Sequence, residues 1–424
     1  MIENQKLKRF VFIASFIQMV LAQPPQKTMY AQSIKSVVFK NQDSEIQFPI
    51  VKLGAPFELH FDDLNGDERN YYYRVKYFNH DWTPSNLFQN EYLKGFDNLR
   101  IENYQTSFNT LQPYTHYQLN LPNEQTSFLI SGNYHLEIYN EADEIVFSRK
   151  FLIYEDGASV NAGVFRPRDL KYYQTHQSVQ FSVSPPRGEY FRDPQNQLHV
   201  TILQNEQWNT SLNHLKPQYN NGGLLEYRYD AESRFEGGNE YLFFSTRNIQ
   251  VTSANVSMVE LNRLYESYLT TNFLRRGYPY SFTQDLNGDF VIQTLQGSEN
   301  GAIEADYSWV HFSLSAPTLL KDQEIYVYGK FNNYELEEEN KMYYNPSLEI
   351  YEGVMLLKQG IYNYKFVAKT PQSELLNAIC GSHALTENQY LILVYYRFFG
   401  NQYDSLIGVG ETSSFEIIDW QGFI

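Results

Sequence analysis

The chain has 424 residues and a formal net charge of −16, which is too long for one ordinary core and too acidic for nucleic acid or anionic lipid, both of which want a basic patch. Hydrophobic residues make up 42% of it, and the aromatic mass is 36 Tyr and 30 Phe against four Trp, a strand-favouring load that points to an all-β protein of two or three domains. Cys380 is the only cysteine, which excludes an internal disulfide; Ala378, Ile379 and Gly381 around it suggest a small buried residue rather than a reactive thiol.

In chain order, Lys6, Lys8 and Arg9 form a basic start, followed by the apolar run Phe10 to Leu21. That run is shorter than the roughly 20 residues a spanning helix needs and is broken by Ser15 and Gln18. Val20-Leu21-Ala22 puts small residues at the −3 and −1 positions, so residues 1–22 read as a signal peptide cleaved before Gln23. Gln23 rather than Cys stands immediately after that point, which argues against a lipoprotein anchor, and no later segment reaches spanning length. Loss of Glu3, Lys6, Lys8 and Arg9 with the leader brings the mature charge to −18. The mature protein is expected to be exported and soluble.

Phe61 to Trp82 reads FDDLNGDERNYYYRVKYFNHDW. Asn65-Gly66 suits a tight type I′ turn, so the block predicts a hairpin arm of an antiparallel sheet. Tyr71, Tyr73, Val75 and Tyr77 would share one face, with Arg74 and Lys76 on the other. Further turn signals at Ser131-Gly132, Asn221-Gly222-Gly223, Gly237-Gly238, Asn287-Gly288, Glu352-Gly353 and Gln359-Gly360 punctuate aromatic or β-branched runs. That spacing marks sandwiches rather than βαβ units. It divides the chain into an N-terminal β-sandwich over 23–156, a middle one over 157–300 and a C-terminal one over 301–424, immunoglobulin-like or early-set-like domains in series. Between 257 and 270 the reading stays open: Met258, Leu261, Leu264, Tyr265, Tyr268 and Leu269 recur at helical spacing behind a Ser257/Glu260 capping box, yet a strand fits as well.

Chemistry-bearing patterns are sparse. The nine His residues fall in no metal-binding spacing, and no nucleophile elbow, phosphate loop or dinucleotide fingerprint occurs. Asp62 to Asp67 and Asp285 to Asp289 mimic calcium loops, but neither supplies both the Gly at six and the Glu at twelve, so hairpin turns are the plainer reading. Glu335, Glu337, Glu338 and Glu339 make an acidic run that reads as a solvated face rather than a glycosidase pair. The sequons at Asn209 and Asn255 carry no weight in a bacterial host. No catalytic, cofactor-binding or metal site is expected, and the protein is read as a non-enzyme with partner-binding residues unknown. Tyr suits binding, since it gives a large amphipathic surface at low entropy cost, although most of these Tyr are expected to fill sheet cores.

The block Phe61 to Trp82 resembles the opening signature of the type IX secretion system plug proteins of Bacteroidota. Similar motifs continue at Glu91 to Phe96, Tyr104 to Thr110, Tyr114 to Tyr117, Leu121-Pro122-Asn123, Phe165-Arg166-Pro167, Tyr278-Pro279-Tyr280 and Gln284 to Gly288. They run on through Ala305-Asp306-Tyr307, Val327-Tyr328-Gly329, Leu357 to Gly360 and Thr386 to Tyr390, with Phe78 standing where the family often carries Cys. Val327 to Tyr334 and Gly360 to Val367 also resemble an early-set sandwich of the glycogen-binding-module kind, with Tyr334 where such modules often present Trp. The plug resemblance implies a periplasmic protein that binds the periplasmic mouth of the outer-membrane translocon barrel and seals its pore when idle. Alternatives are an exported carbohydrate-binding protein and an exported glycoside hydrolase.

Overall fold

The computed structural model describes residues 32–42, 44, 47–96, 98–296, 300–316 and 323–418; the expected signal peptide at 1–22 lies outside the described residues. The protein is all-β, and among the described residues no α-helix is longer than four residues.

The first sandwich packs Ile34–Asn41, Phe57–Asp63, Thr115–Leu121 and Asn103–Thr106 in one sheet. The facing sheet holds Ile50–Lys52, Ile145–Tyr154, Gly132–Tyr139, Tyr72–Phe78 and Leu99–Arg100. Alternation works as expected: Tyr71, Tyr73, Val75 and Tyr77 are buried, whereas Lys76 is exposed and Arg74 half-buried. The core is aromatic, with Phe61 stacked on Tyr117 at 5.0 Å and Tyr134 on Phe151 at 5.1 Å. Such offset and edge contacts add to the burial term.

The expected hairpin at Asn65-Gly66 is not formed. Phe57–Asp63 and Tyr72–Phe78 lie in different sheets, so the turn carries the chain across the sandwich. A type I′ turn needs φ > 0 at both central residues, and only Gly66 has it, at +70°. Asp63 closes the crossing instead, accepting from the Asn65 amide at 3.1 Å and the Tyr71 hydroxyl at 2.8 Å. Glu352-Gly353 is likewise no turn; it sits inside strand Ile350–Lys358.

Strand pairing does not follow the boundary expected at 300/301. The second sandwich sets Ser159–Phe165, His176–Ser184, Leu224–Tyr227, Tyr219–Asn221 and Arg234–Glu236 against Gln207–Leu212, Leu198–Gln204, Gln389–Tyr396 and Ser405–Ser413. The last two strands thus return from the C-terminal third, with Leu198 opposite Tyr396 and Gln204 opposite Tyr390. Conversely, Leu242–Ser245, Val256–Leu261, Tyr265–Leu269 and Phe290–Ile292 pair into the third sheet system beside Tyr307–Ser315, Glu324–Tyr328, Ile350–Lys358 and Gly360–Lys369. The physical reason lies in Gln389–Tyr396, which is apolar on both faces. Tyr390, Ile392 and Val394 enter the second core, and Leu391, Leu393 and Tyr395 press against the first sandwich. A strand of that kind must be central. The open question at 257–270 resolves to strand: Val256–Leu261 and Tyr265–Leu269 form an antiparallel pair.

Candidate functional site

Motifs hundreds of residues apart converge on buried polar junctions between sandwiches. At the first–third junction, Lys358 Nζ is 2.6 Å from Asp62 Oδ2, with both side chains at most 2% exposed. The Tyr307 hydroxyl donates to the same carboxylate at 2.7 Å, His116 Nδ1 lies 2.7 Å from Oδ1, and His60 Nδ1 lies 3.1 Å from His116 Nε2. Lys358 also donates to the Ala302 carbonyl at 2.6 Å and sits 4.1 Å over the Tyr114 ring. Asp306 accepts from the amides of Leu111 and Gln112 at 2.6 and 3.1 Å, and Gln359 accepts from the Asp306 amide at 2.8 Å. Burial works against the Asp62 charge, but Lys358 and His116 more than offset it and hold the carboxyl below its ordinary range. Burial, then His116, drives His60 down to about 3, so it is neutral at physiological pH.

At the first–second junction, Asp404 gathers His80 Nδ1 at 2.9 Å, the His80 amide at 3.2 Å and Arg397 Nε and NH2 at 2.8 and 2.9 Å. The Tyr77 hydroxyl donates to the Asp404 carbonyl at 2.7 Å, and Tyr395 to Asn133 at 2.8 Å. Trp82 and Trp208 meet edge-on at 4.9 Å, with Lys150 4.4 Å from the Trp82 ring; burial alone lowers that lysine to about 8. At the second–third junction Lys330 bonds Glu206 at 2.5 Å and Asp289 at 3.1 Å, and Asn209 reaches the Tyr328 hydroxyl at 2.7 Å.

The acidic features have structural roles. Glu240, Asp285 and Glu387 come together: Tyr280 donates to Glu240, the Glu387 amide to Glu240 at 3.2 Å, and Asn287 to Glu387 at 2.9 Å. Burial raises Asp285 to about 6. Each of the three accepts from protein donors, so the cluster ties loops together. Glu339 pairs with Lys35 and Glu338 with Lys341 at 3.9 Å, at the surface. Among the described residues no group of acids, His and Cys has metal-holding geometry. Cys380 is buried, as its neighbours suggest, and burial pushes its thiol up. Phe78 is half-buried, 4.3 Å from the His135 ring. Tyr334 packs 5.1 Å from Tyr328 and is half-buried, not an open platform for sugar.

One surface departs from the polar outer face normal for an antiparallel sheet. On the outside of the third sandwich, register places Glu266, Trp309 and Leu356 in one row and Tyr268, His311 and Val354 in the next. Met258 continues the second row, opposite Tyr268. Trp309 is 39% exposed, Val354 43% and Met258 44%. Tyr268 stacks on His311 at 4.1 Å, and Glu266 takes His311 Nε2 at 2.9 Å, so the centre is preordered and its rim acidic. Sequence reasoning missed Trp309. Its outward position is visible only once Val310 and Phe312 are known to face the core.

A family model, type 9 secretion system plug protein first domain, matches residues 34–155, the span of the first sandwich. No curated protein matches the chain. Among solved structures the chain is similar to a hypothetical protein from Parabacteroides merdae ATCC 43184 at 32% identity and a TM-score of 0.86, over 91% of this chain and 98% of that one. The likeness therefore extends through all three sandwiches, and the chain belongs to the type IX secretion system plug protein family.

Proposed function

We propose that this protein is the periplasmic plug of a type IX translocon: it binds the periplasmic mouth of the outer-membrane barrel and closes it while no cargo is engaged. The family match over residues 34–155 carries the reading. Its physical logic is that a pore wide enough for folded cargo leaks small solutes unless a stiff body stops it. Sandwiches tied by buried ion pairs and interdigitated strands suit such a body. Among the described residues no helix is long and apolar enough to cross a membrane, so attachment is assigned to the partner barrel. The Trp309 face supplies an aromatic centre with an acidic rim, the anatomy of a reversible interface. The protein is taken to have no turnover.

Affinity capture from detergent-solubilised outer membranes tests the reading. The barrel is expected to co-purify with the tagged mature protein; recovery of none under mild detergent would overturn it. The same preparation, taken from the periplasm, is expected to begin at Gln23 by intact mass.

A further inference from the structure

Between the second and third sandwiches lies a cleft of about 940 Å³, within the size range of small-molecule sites. Lys365 lines it. On strand Gly360–Lys369, Tyr364 and Phe366 enter the core, so Lys365 between them faces the other way. It is 8% exposed. Its ammonium lies 5.3 Å from the Tyr241 ring and 5.4 Å from the Tyr328 ring, and among the described residues it has no ion pair or hydrogen bond.

The contrast with the other buried lysines is informative. Lys330 and Lys358 are each met by carboxylates, whereas Lys150, like Lys365, meets aromatic rings instead, but outside this cleft. A buried ammonium without a counter-ion is costly, and burial lowers the Lys365 pKa accordingly. Two more groups on the wall lack partners: His383 Nε2 and Thr210 Oγ1, both buried. Arg276, exposed on the same cleft, makes no side-chain ion pair or hydrogen bond among the described residues. Of the wall's two acids, Glu236 accepts from the Asn377 amide at 2.7 Å and Glu374 is exposed to solvent. Tyr278, 66% exposed, stands at the edge.

These groups define a ligand. Two unmatched cations ask for one anionic group, not the several charges of a nucleotide. Unpartnered hydroxyl and imidazole, among side-chain amides, ask for hydroxyls. An exposed Tyr ring accepts the flat face of a pyranose. We propose that this cleft binds a sugar carboxylate of the uronic-acid type, its carboxylate at Lys365 and Arg276 and its ring against Tyr278. This site goes beyond the plug reading and stands or falls separately from it. It is also distinct from the place of Tyr334, which is packed within the fold.

Calorimetry and thermal unfolding of the mature protein with galacturonate, galactose and acetate test the proposal. Galacturonate is expected to bind saturably and raise Tm, with galactose and acetate at least about tenfold weaker. Lys365→Met and Arg276→Ala are each expected to weaken galacturonate about tenfold or more, about 1.4 kcal/mol. Lys365→Met should keep or raise the ligand-free Tm, because it removes an uncompensated buried charge; if it fails to fold, Arg276→Ala, at the surface, decides. No saturable galacturonate binding, acetate binding as tightly as galacturonate, or unchanged affinity in the folded variants would each overturn the proposal.

Discussion

Asp404 shows how one side chain binds two sandwiches together. Its carboxylate has no solvent exposure, yet it gathers His80 from the first sandwich and Arg397 from the second. Burial opposes its charge; the His80 and Arg397 bonds win and depress its pKa. A depressed carboxyl contributes stability that is present above the unfolded value, about 3.9, and lost as pH falls through the folded one. His135 acts in a different window. Burial, with Lys150 and Lys76, lowers it to about 3, and its Nε2 is buried without a partner. The unfolded chain then binds the proton more readily, so stability drains as pH falls from about 6.5 toward 3. Urea titrations across pH should separate the two. His135→Phe should lessen the loss between about pH 6.5 and 4, which His60 and His199 share, and be neutral or stabilising at pH 7. Asp404→Asn should cost about 1.5–3 kcal/mol at pH 7, as expected for losing charge-assisted hydrogen bonds to a partly solvated Arg397, and should flatten the curve only below about pH 4. Equal pH curves for both variants and the parent would refute the assignments.

At the scale of elements, legibility divides along local and non-local lines. The strand Tyr72–Phe78 could be read from alternation alone, because the period of two is written in Tyr73, Val75 and Tyr77. Its partners could not. Whether Phe57–Asp63 turns back onto it or crosses to the other sheet depends on Asp63 and Tyr71 meeting, a contact that propensity does not encode. Gln389–Tyr396 is buried on both faces, but its pairing with Leu198–Gln204 spans nearly half the chain and leaves no local mark. The junctions were half legible: Asp62, His116, Tyr307 and Lys358 all sit in motifs that carry the family resemblance, yet nothing in the sequence brings them together. The double variant Asp62→Leu with Lys358→Met tests whether their pairing is structural. Asp62→Asn alone should destabilise by about 3–5 kcal/mol, and the double variant should recover most of it, since an apolar replacement of a buried pair is often neutral. A double variant as unstable as the single would indicate that hydrogen bonds to Tyr307 and His116 matter more. On the outer sheet face, Trp309→Ala touches no core, so its Tm should stay near the parent's. Retention of the barrel in affinity capture should nonetheless fall about tenfold or more, as loss of a central aromatic anchor predicts.

At the scale of the molecule, the strand exchange between sandwiches matters more than any one junction. The second sandwich cannot close without Gln389–Tyr396 and Ser405–Ser413, which arrive only after the third has been traversed. Hinging of the third body on the second would have to break Lys330 from Glu206, and hinging on the first would strand Asp62 against Lys358. Relative domain motion is the default where interfaces are small and polar, but here charged contacts are buried and the chain crosses twice. Under the proposed plug role, such a body would leave the barrel as one piece rather than fold out of its mouth. Closing a pore is then separable from moving cargo through it. Deleting the gene should raise outer-membrane permeability to large antibiotics more than it lowers secretion of type IX cargo, as measured by antibiotic susceptibility beside cargo assays in the same strain. A chromosomal Trp309→Ala allele should reproduce the permeability defect with the protein still present at normal level. Wild-type permeability in the deletion strain would refute the sealing role, whereas a secretion defect larger than the leak would recast the protein as a part of transport itself.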